Sequence, residues 1–344
     1  MRVWTATAAS PTPRPTAPNA EPAVTASPNP CGPALAEWSE RHLLSPQRVA
    51  VAYSAGADST ALLLAAHDRW PGRVVALHVH HGLQAAADTF ESLAQDTCDR
   101  HGIRLQVSRV DARALVGQSP EDAARRARYR ALAEAARAGA VDVVLLGQHA
   151  DDQAETVLLA LSRGAGLPGL AGMPERFERD GMVFGRPLLH LQAAVLRAWL
   201  QAARHPFVDD PTNRDQRYTR NRIRELLTPA WQTCFPGYRD ALARSARHAA
   251  QAQLLLDELA VSDLSLIGDP PVIAALQTLS RHRQANVLRR WLRGCTGGAP
   301  SEMQMEELLD QVDACRTRGH SLRMKVMTGL VLRDGDRLRY EAPI

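Results

Sequence analysis

The sequence predicts an α/β fold, a parallel sheet with helices on both faces, followed by a mainly helical second domain that ends in a small β-hairpin. Three observations carry this. Short β-like runs alternate with helical segments from Ala34 onward. The segments between those runs are long enough for crossover helices, which parallel strands require. Beyond Leu226 the pattern turns helical, and it closes on an alternating stretch around Asp334-Gly335, a strong hairpin signal.

The strand candidates are RVAVAY (48–53), RVVALHV (73–79), IRLQVSRV (103–110) and VDVVLLG (141–147). Between the last two, EDAARRARYRALAEAARAG (121–139) opens on acids and stops at Gly139, the signature of a helix with its C-terminal glycine. In the second domain, 238–261, 281–293 and 301–319 are the helix candidates. Domain limits follow: an extension at 1–33, a catalytic domain at 34–225 and a helical domain at 226–344. The extension is crowded with Pro, Ala and Thr, offers little to bury and is expected to be disordered.

Composition narrows the function classes. With 344 residues, 45% of them hydrophobic, the chain can bury two ordinary cores. No apolar run reaches the length of a membrane span, so no membrane partner is expected. Five scattered cysteines without a C-x-x-C pair support neither a zinc knuckle nor a disulfide framework and fit a cytoplasmic protein. Net charge is only +4, yet arginine dominates the cations, so clustering matters more than the total.

Ligands of open parallel sheets bind outside the carboxyl ends of the strands, and here those ends are unusually polar. The first runs into SAGADS (54–59) before an apolar helix. Backbone N–H groups at such a helix start have no intrahelical partner and favour an anion. The loop lacks a Walker lysine and carries Asp58 instead. A carboxylate among phosphates calls for a divalent cation between them, and Mg²⁺ is the natural mediator. A second glycine pattern, GAGLPG (164–169), follows a helical segment rather than a strand and is rejected as a dinucleotide site.

SAGADS resembles the phosphate loop of the N-type ATP pyrophosphatases, a PP-loop family of adenine nucleotide α-hydrolase-like fold. Within that group the chain is most similar to the tRNA(Ile)-lysidine synthetases. HVHHGL (78–83), EDAARRARY (121–129), HADDQAET (149–156), RGAGLPGLAGM (163–173), RPLL (186–189) and DPTNRDQRYTRNRIR (210–224) carry the likeness, in order. One departure is Ala55, where the family usually has glycine. Its Cβ demands a backbone angle compatible with a side chain, and binding is expected to survive.

The resemblance implies ATP and Mg²⁺, free L-lysine, and the isoleucine tRNA with a CAU anticodon. The wobble cytidine would be adenylated and the adenylate displaced by lysine, giving lysidine, AMP and pyrophosphate. It assigns Asp58, Asp152 and Glu155 to catalysis, with Asp58 also holding Mg²⁺. Ser54, Ala55, Gly56, Ala57, Asp58, Ser59, His80 and His81 would bind ATP. His149, Asp151, Asp152 and Glu155 would bind lysine, and Arg125 or Arg128 would touch substrate or phosphate.

For Asp152 and Glu155 the competing reading is dipole complementation in a first helical turn. For His78, His80 and His81 it is packing, or zinc without a nearby cysteine. Arg214, Arg217, Tyr218, Arg220, Asn221, Arg222 and Arg224 would contact tRNA, guanidinium forks on phosphates and the phenol ring on a base; a solvated surface is the alternative. A tRNA thiolase and a non-enzymatic nucleotide sensor stand as rival functions, and association as a homodimer is left open.

Overall fold

The computed structural model describes residues 27–42, 45–80, 87–110, 120–210, 215–317 and 319–342. Residues 1–26 of the expected extension, together with His81 and Arg214, lie outside the described residues.

The described chain is ordered earlier than residue 34. Cys31 is fully buried at the start of α1 (Cys31–His42). The Asn29 amide donates to the Ala61 carbonyl at 2.9 Å, and the Trp199 indole donates to the Ser27 carbonyl at 2.8 Å. The ordered part therefore begins earlier than the expected limit of 33, with residues 27–33 already in place: composition hid a segment held by these two polar contacts and by the burial of Cys31.

Four expected strands form where the alternation placed them: β1 (Val49–Ala52), β2 (Val74–His80), β3 (Arg104–Arg109) and β4 (Val143–Leu145). The intervening helices are α2 (Ala57–Arg69), α3 (Ala87–His101) and α4 (Pro120–Ala138), and α5 (Ala150–Ser162) follows β4. A short α6 (Leu167–Leu170) leads to a hairpin of β5 (Arg176–Arg179) and β6 (Met182–Gly185), and then to α7 (Ala193–Ala202).

The sheet order is β3-β2-β1-β4-β6-β5. Five strands run parallel and β5 closes one edge antiparallel to β6.

Alternation along the strands sorts the two faces. Val49, Val51, Ala76, Val143 and Leu145 pack with α1, α2 and α7 through Leu35, Leu62, Leu63, Leu196 and Leu200. Ala50, Val75, Leu77, Val144 and Leu146 pack against α4 through Tyr129, Leu132, Ala133 and Ala136. Gly185 has a packing reason: a Cβ there would lie 2.3 Å from the Trp38 ring, which covers it.

After a short α8 (Thr219–Arg222), a π-helical turn (Ile223–Leu227) and α9 (Thr228–Cys234), a long α10 (Tyr238–Ile267) begins the helical part. It continues with α11 (Ile273–Leu276), α12 (Arg281–Thr296) and α13 (Glu302–Ala314), which bury Leu276, Val287, Leu288, Leu292, Leu308 and Val312 together. The closing element is larger than the expected hairpin: β7 (Arg323–Val326), β8 (Gly329–Asp334) and β9 (Arg337–Glu341) form a three-stranded antiparallel sheet. Among the described residues no helix is long and apolar enough to cross a membrane.

Candidate active site

The loop between β1 and α2 is wound around its own hydroxyls. Ser54 and Ser59 Oγ lie 3.1 Å apart, Ser59 donates to the Gly56 carbonyl at 3.0 Å, and Thr60 donates to the same oxygen at 2.8 Å. Gly56 caps α2 with no side-chain hydrogen bond to the first-turn amides. Those amides remain available to an anion.

Ala55 adopts φ +61°, the left-handed region, and is fully buried. The expectation of a backbone angle comfortable for a Cβ is thus corrected. The neighbourhood holds the strained residue in place, because the Ala55 carbonyl accepts from Val208 N at 2.9 Å and Gly56 bridges Val208 in parallel.

The other side of the crevice comes from the end of β4. Gly147 lets the start of α2 approach it: a Cβ there would meet the Asp58 carbonyl carbon and Ser59 N at 3.1 Å each. Sequence reasoning passed over Gly147. Its position at the end of a predicted strand, two residues before His149, was the available signal.

His149 joins the two halves. Its side chain is 7% exposed, with Nε2 3.6 Å from Asp58 Oδ2 and 3.4 Å from Asp152 Oδ2, and with Nδ1 3.5 Å from Asp151 Oδ2. Burial alone would push its pKa down, but Asp152, Asp58 and Asp151 outweigh that and raise it to about 9. An imidazolium cannot also accept from Asp152 N, which lies 3.4 Å from Nδ1. With three carboxylates around the ring, the charged form prevails, with Nδ1 facing Asp151 as an ion pair.

The acids then part company. Asp151, expected at the lysine site, is engaged elsewhere: it accepts from Ala193 N at 3.0 Å and pairs with Arg239 of α10. Those two donors, together with His149, hold its carboxyl below the usual range against the opposing effect of burial. Glu155 is 2% exposed and takes both forks of Arg224, at 2.7 and 3.0 Å. Burial pushes its pKa up and Arg224 pulls it only part of the way back. Asp152 stands between them, with Oδ1 3.6 Å from Arg224.

The arginine-rich segment is correspondingly split. Arg217 is exposed and chelated by Asp215, at 2.6 Å for the closest pair, and Tyr218 is 44% exposed. Arg220 reaches back to Thr156 Oγ1 at 3.2 Å, and Arg222 holds carbonyls of its own turn. Asn221 is buried and donates to the Asp215 carbonyl at 2.8 Å. The strip is not uniform: Asn221 is buried, and Arg224 spends its guanidinium on Glu155 while its side chain stays 41% exposed. The π turn that begins at Ile223 carries Arg224 against α5, and such turns often sit at functional sites.

Among the histidines after β2, His78 is buried, with Nδ1–H donating to the Tyr53 carbonyl at 2.9 Å, and burial lowers its pKa. His80 Nε2 lies 3.3 Å from Asp88 Oδ1. Among the described residues no group of three or more His, Cys, Asp or Glu could enclose a metal ion. The packing reading holds for His78.

Arg125 and Arg128 lean over the Tyr129 ring, with Cζ 5.2 and 5.8 Å from its centroid. An acid-lined groove of about 560 Å³, bounded by Asp88, Thr89, Ser92, Leu93, Asp96 and Val208, lies behind the phosphate loop. Its carboxylates oppose an anionic ligand, so the crevice between loop 54–59 and α5 remains the candidate site.

The PP-loop domain family matches residues 34–231 and the TilS substrate binding domain matches residues 272–339. The tRNA(Ile)-lysidine synthase of Polaromonas naphthalenivorans is 61% identical over 290 residues, 84% of this chain and 88% of that protein. Those of Burkholderia pseudomallei and Bordetella pertussis are 45% and 40% identical, over 80% and 82% of this chain and 58% and 91% of their own lengths. The chain thus spans little more than half of the Burkholderia protein.

A U34-tRNA thiolase from Methanococcus maripaludis shares the fold alone, with a TM-score of 0.53 and 16% identity over 63% of this chain and 77% of that one. A PP-loop domain followed by a TilS substrate binding domain, with this level of identity over most of a relative's length, places the chain in the tRNA(Ile)-lysidine synthase family.

Proposed function

We propose that the protein joins free L-lysine to C2 of the wobble cytidine in the CAU-anticodon isoleucine tRNA, consuming ATP and releasing AMP and pyrophosphate. The observation that carries this reading is the His149 bridge, which joins an anion-binding helix start to an acid cluster within one side chain's reach. An anionic nucleotide and a cationic amine require those two environments side by side.

In the first step the cytidine O2 attacks the α-phosphorus and the bond to the β-phosphate oxygen breaks. The open amides at the start of α2, with Ser54 and Ser59, hold the departing pyrophosphate where its charge develops. The His149 imidazolium, fixed by Asp58 and Asp152, keeps a positive charge at the boundary between the two substrates.

In the second step the lysine ε-amine attacks C2 and AMP leaves. The amine arrives as an ammonium with a reference pKa of about 10.4, so it needs an acid to receive it and a base to take a proton. Asp152 is the partly open carboxylate in position to do both, whereas Glu155 enters already balanced by Arg224.

Magnesium fits the donor set. Asp58 Oδ1 is buried and has no hydrogen-bond partner. That oxygen would hold the ion, with the remaining ligands from triphosphate and water, since Mg²⁺ accepts one or two carboxylates plus phosphates. When bound, the ion supplies charge neutralisation between Asp58 and the phosphates.

Incubation with ATP, Mg²⁺, lysine and the isoleucine tRNA, followed by nucleoside mass analysis, tests the reading. Lysidine is the expected product. Pyrophosphate release without lysidine, or equal turnover by Asp58→Asn, would reject it.

A further inference from the structure

We infer that Arg125, Arg128 and Arg179 form a binding site for a phosphodiester of the anticodon arm, beside the acids that begin α5. This rests on the RNA-modifying reading above and adds Arg179, which comes from the β5–β6 hairpin and stood in no sequence motif.

The three guanidinium groups, from two elements far apart in the chain, crowd one ring. Their Cζ atoms lie 5.2, 5.8 and 4.8 Å from the centroid of Tyr129. The ring itself is 1% exposed and locked edge-on against Phe177 and Phe184, with centroids 5.9 and 5.2 Å away. It is a rigid platform rather than a mobile surface aromatic.

Arg186 adds a fourth positive charge beneath. It is 4% exposed, lies 4.1 Å over the Phe177 ring, and donates to the Pro174 carbonyl at 2.8 Å, to Gln148 and to the Tyr129 hydroxyl. All three of those acceptors are neutral.

Counter-charge reaches this spot from Asp152, which acts on Arg128 and Arg186 without a direct pair. Among the described residues Arg125 and Arg128 form no ion pair, and Arg179 has only its chain neighbour Asp180 at 3.5 Å. Like charges gathered over one ring raise the local potential, and a bridging anion relieves it. Guanidinium forks match phosphate oxygens, which makes a phosphodiester the fitting class of ligand.

Position decides between the two phosphates at hand. Loop 54–59 opens α2, which packs on one face of the sheet, while Tyr129 belongs to the core on the other. For a triphosphate seated on the loop to reach the Tyr129 arginines it would have to pass His149 and the carboxylates of Asp58 and Asp152, and those carboxylates oppose its charge. A polynucleotide that delivers a base to Asp152 has flanking phosphates with which to reach it.

The test uses the full chain and a synthetic stem–loop RNA of the isoleucine anticodon arm, with binding read by fluorescence anisotropy across a salt series. Arg125→Gln, Arg128→Gln and Arg179→Gln should each weaken binding several-fold and flatten the log–log salt slope by about 0.7 per lost phosphate contact. Arg179→Lys should keep the slope. ATP affinity, measured by calorimetry without RNA, should be unchanged, with unaltered thermal unfolding as the folding control.

Three outcomes overturn the site. If the slope is unchanged in all three variants, the arginines are a solvated stack on Tyr129. If ATP affinity falls while the RNA slope holds, the ligand is the triphosphate. If whole tRNA shows the loss and the stem–loop does not, the contact lies elsewhere on the RNA. Stem–loop binding that depends on these arginines, in a protein that makes no lysidine, would reject the proposed reaction and leave the site standing.

Discussion

The Glu155–Arg224 pair provides the sharpest quantitative test, because both residues lie in the candidate site and the two contributions can be separated. Glu155 has a side chain 3% exposed and Arg224 one that is 41% exposed, and two hydrogen bonds join them. Removing one partner of a fully buried pair typically costs about 3 to 5 kcal/mol, and the exposure of Arg224 reduces that through solvent screening. Arg224→Gln should therefore cost roughly 2 kcal/mol at pH 7, since it strands the buried carboxylate. Glu155→Gln should cost less, about 1 kcal/mol, since the freed guanidinium can turn to water. In the double variant the coupling should be on the order of 1 kcal/mol.

pH sharpens the test. The folded pKa of Glu155 lies above the ordinary 4.5, because burial outweighs Arg224. The native state therefore holds that proton more tightly than the unfolded chain. The linked stability is full below the unfolded pKa and is lost as pH rises through the folded one. Without Arg224 the folded value climbs further, so the Arg224→Gln penalty should shrink as pH falls from 7 toward 5. Urea unfolding of the four cycle members at both pH values measures this. Additive single effects, or a penalty that grows on acidification, would refute the pairing argument.

Other outcomes follow from neighbouring residues. His149, raised from 6.5 to about 9, should stabilise the ligand-free protein fully below pH 6.5 and lose that contribution as pH rises through 9. Since a pKa unit is worth about 1.4 kcal/mol, the loss is at most about 3.5 kcal/mol; denaturant titration of wild type against His149→Asn should show it in wild type only. Gly147→Ala places a methyl 3.1 Å from backbone atoms of Asp58 and Ser59. Overpacking of that kind costs about 1 to 3 kcal/mol, and ATP affinity by calorimetry should fall with it. Ala55→Gly relieves a left-handed angle worth about 1 kcal/mol while deleting a buried methyl of similar value. Its unfolding free energy should stay within about 1 kcal/mol of wild type, with ATP binding retained.

Periodicity and turn chemistry made the parallel sheet legible because every strand from β1 to β4 is bounded by a polar or glycine-rich end. The β5–β6 hairpin escaped because Arg176, Glu178 and Arg179 interrupt the apolar signal on an edge strand that needs only one covered face. Asp58, His149 and Asp152 were readable from their places after strands. What a linear reading could not supply was partnership. Arg224 looks like one more cation in an RNA-facing strip until the chain folds back and spends it on Glu155, and Asp151 looks like its neighbour Asp152 until Arg239 arrives from 88 residues away.

Those two late partners bear on where one functional unit stops and the next begins. The expected boundary at 225/226 falls within the π turn, one residue after Arg224. The apolar side of α5, Ala154, Val157 and Leu158, is covered by Ile223, Tyr238, Leu242 and Ala246. Arg224 and Arg239 meanwhile neutralise the acids on its first turn. One helix thus carries the candidate lysine site on its N-terminal end and the seat of the long α10 along its flank. A displacement of α10 large enough to part Arg239 from Asp151 removes a counter-charge from an acid that also faces His149. The seat of α10 and the charge balance of the site thus share one carboxylate, Asp151, which answers to Arg239 on one side and to His149 on the other.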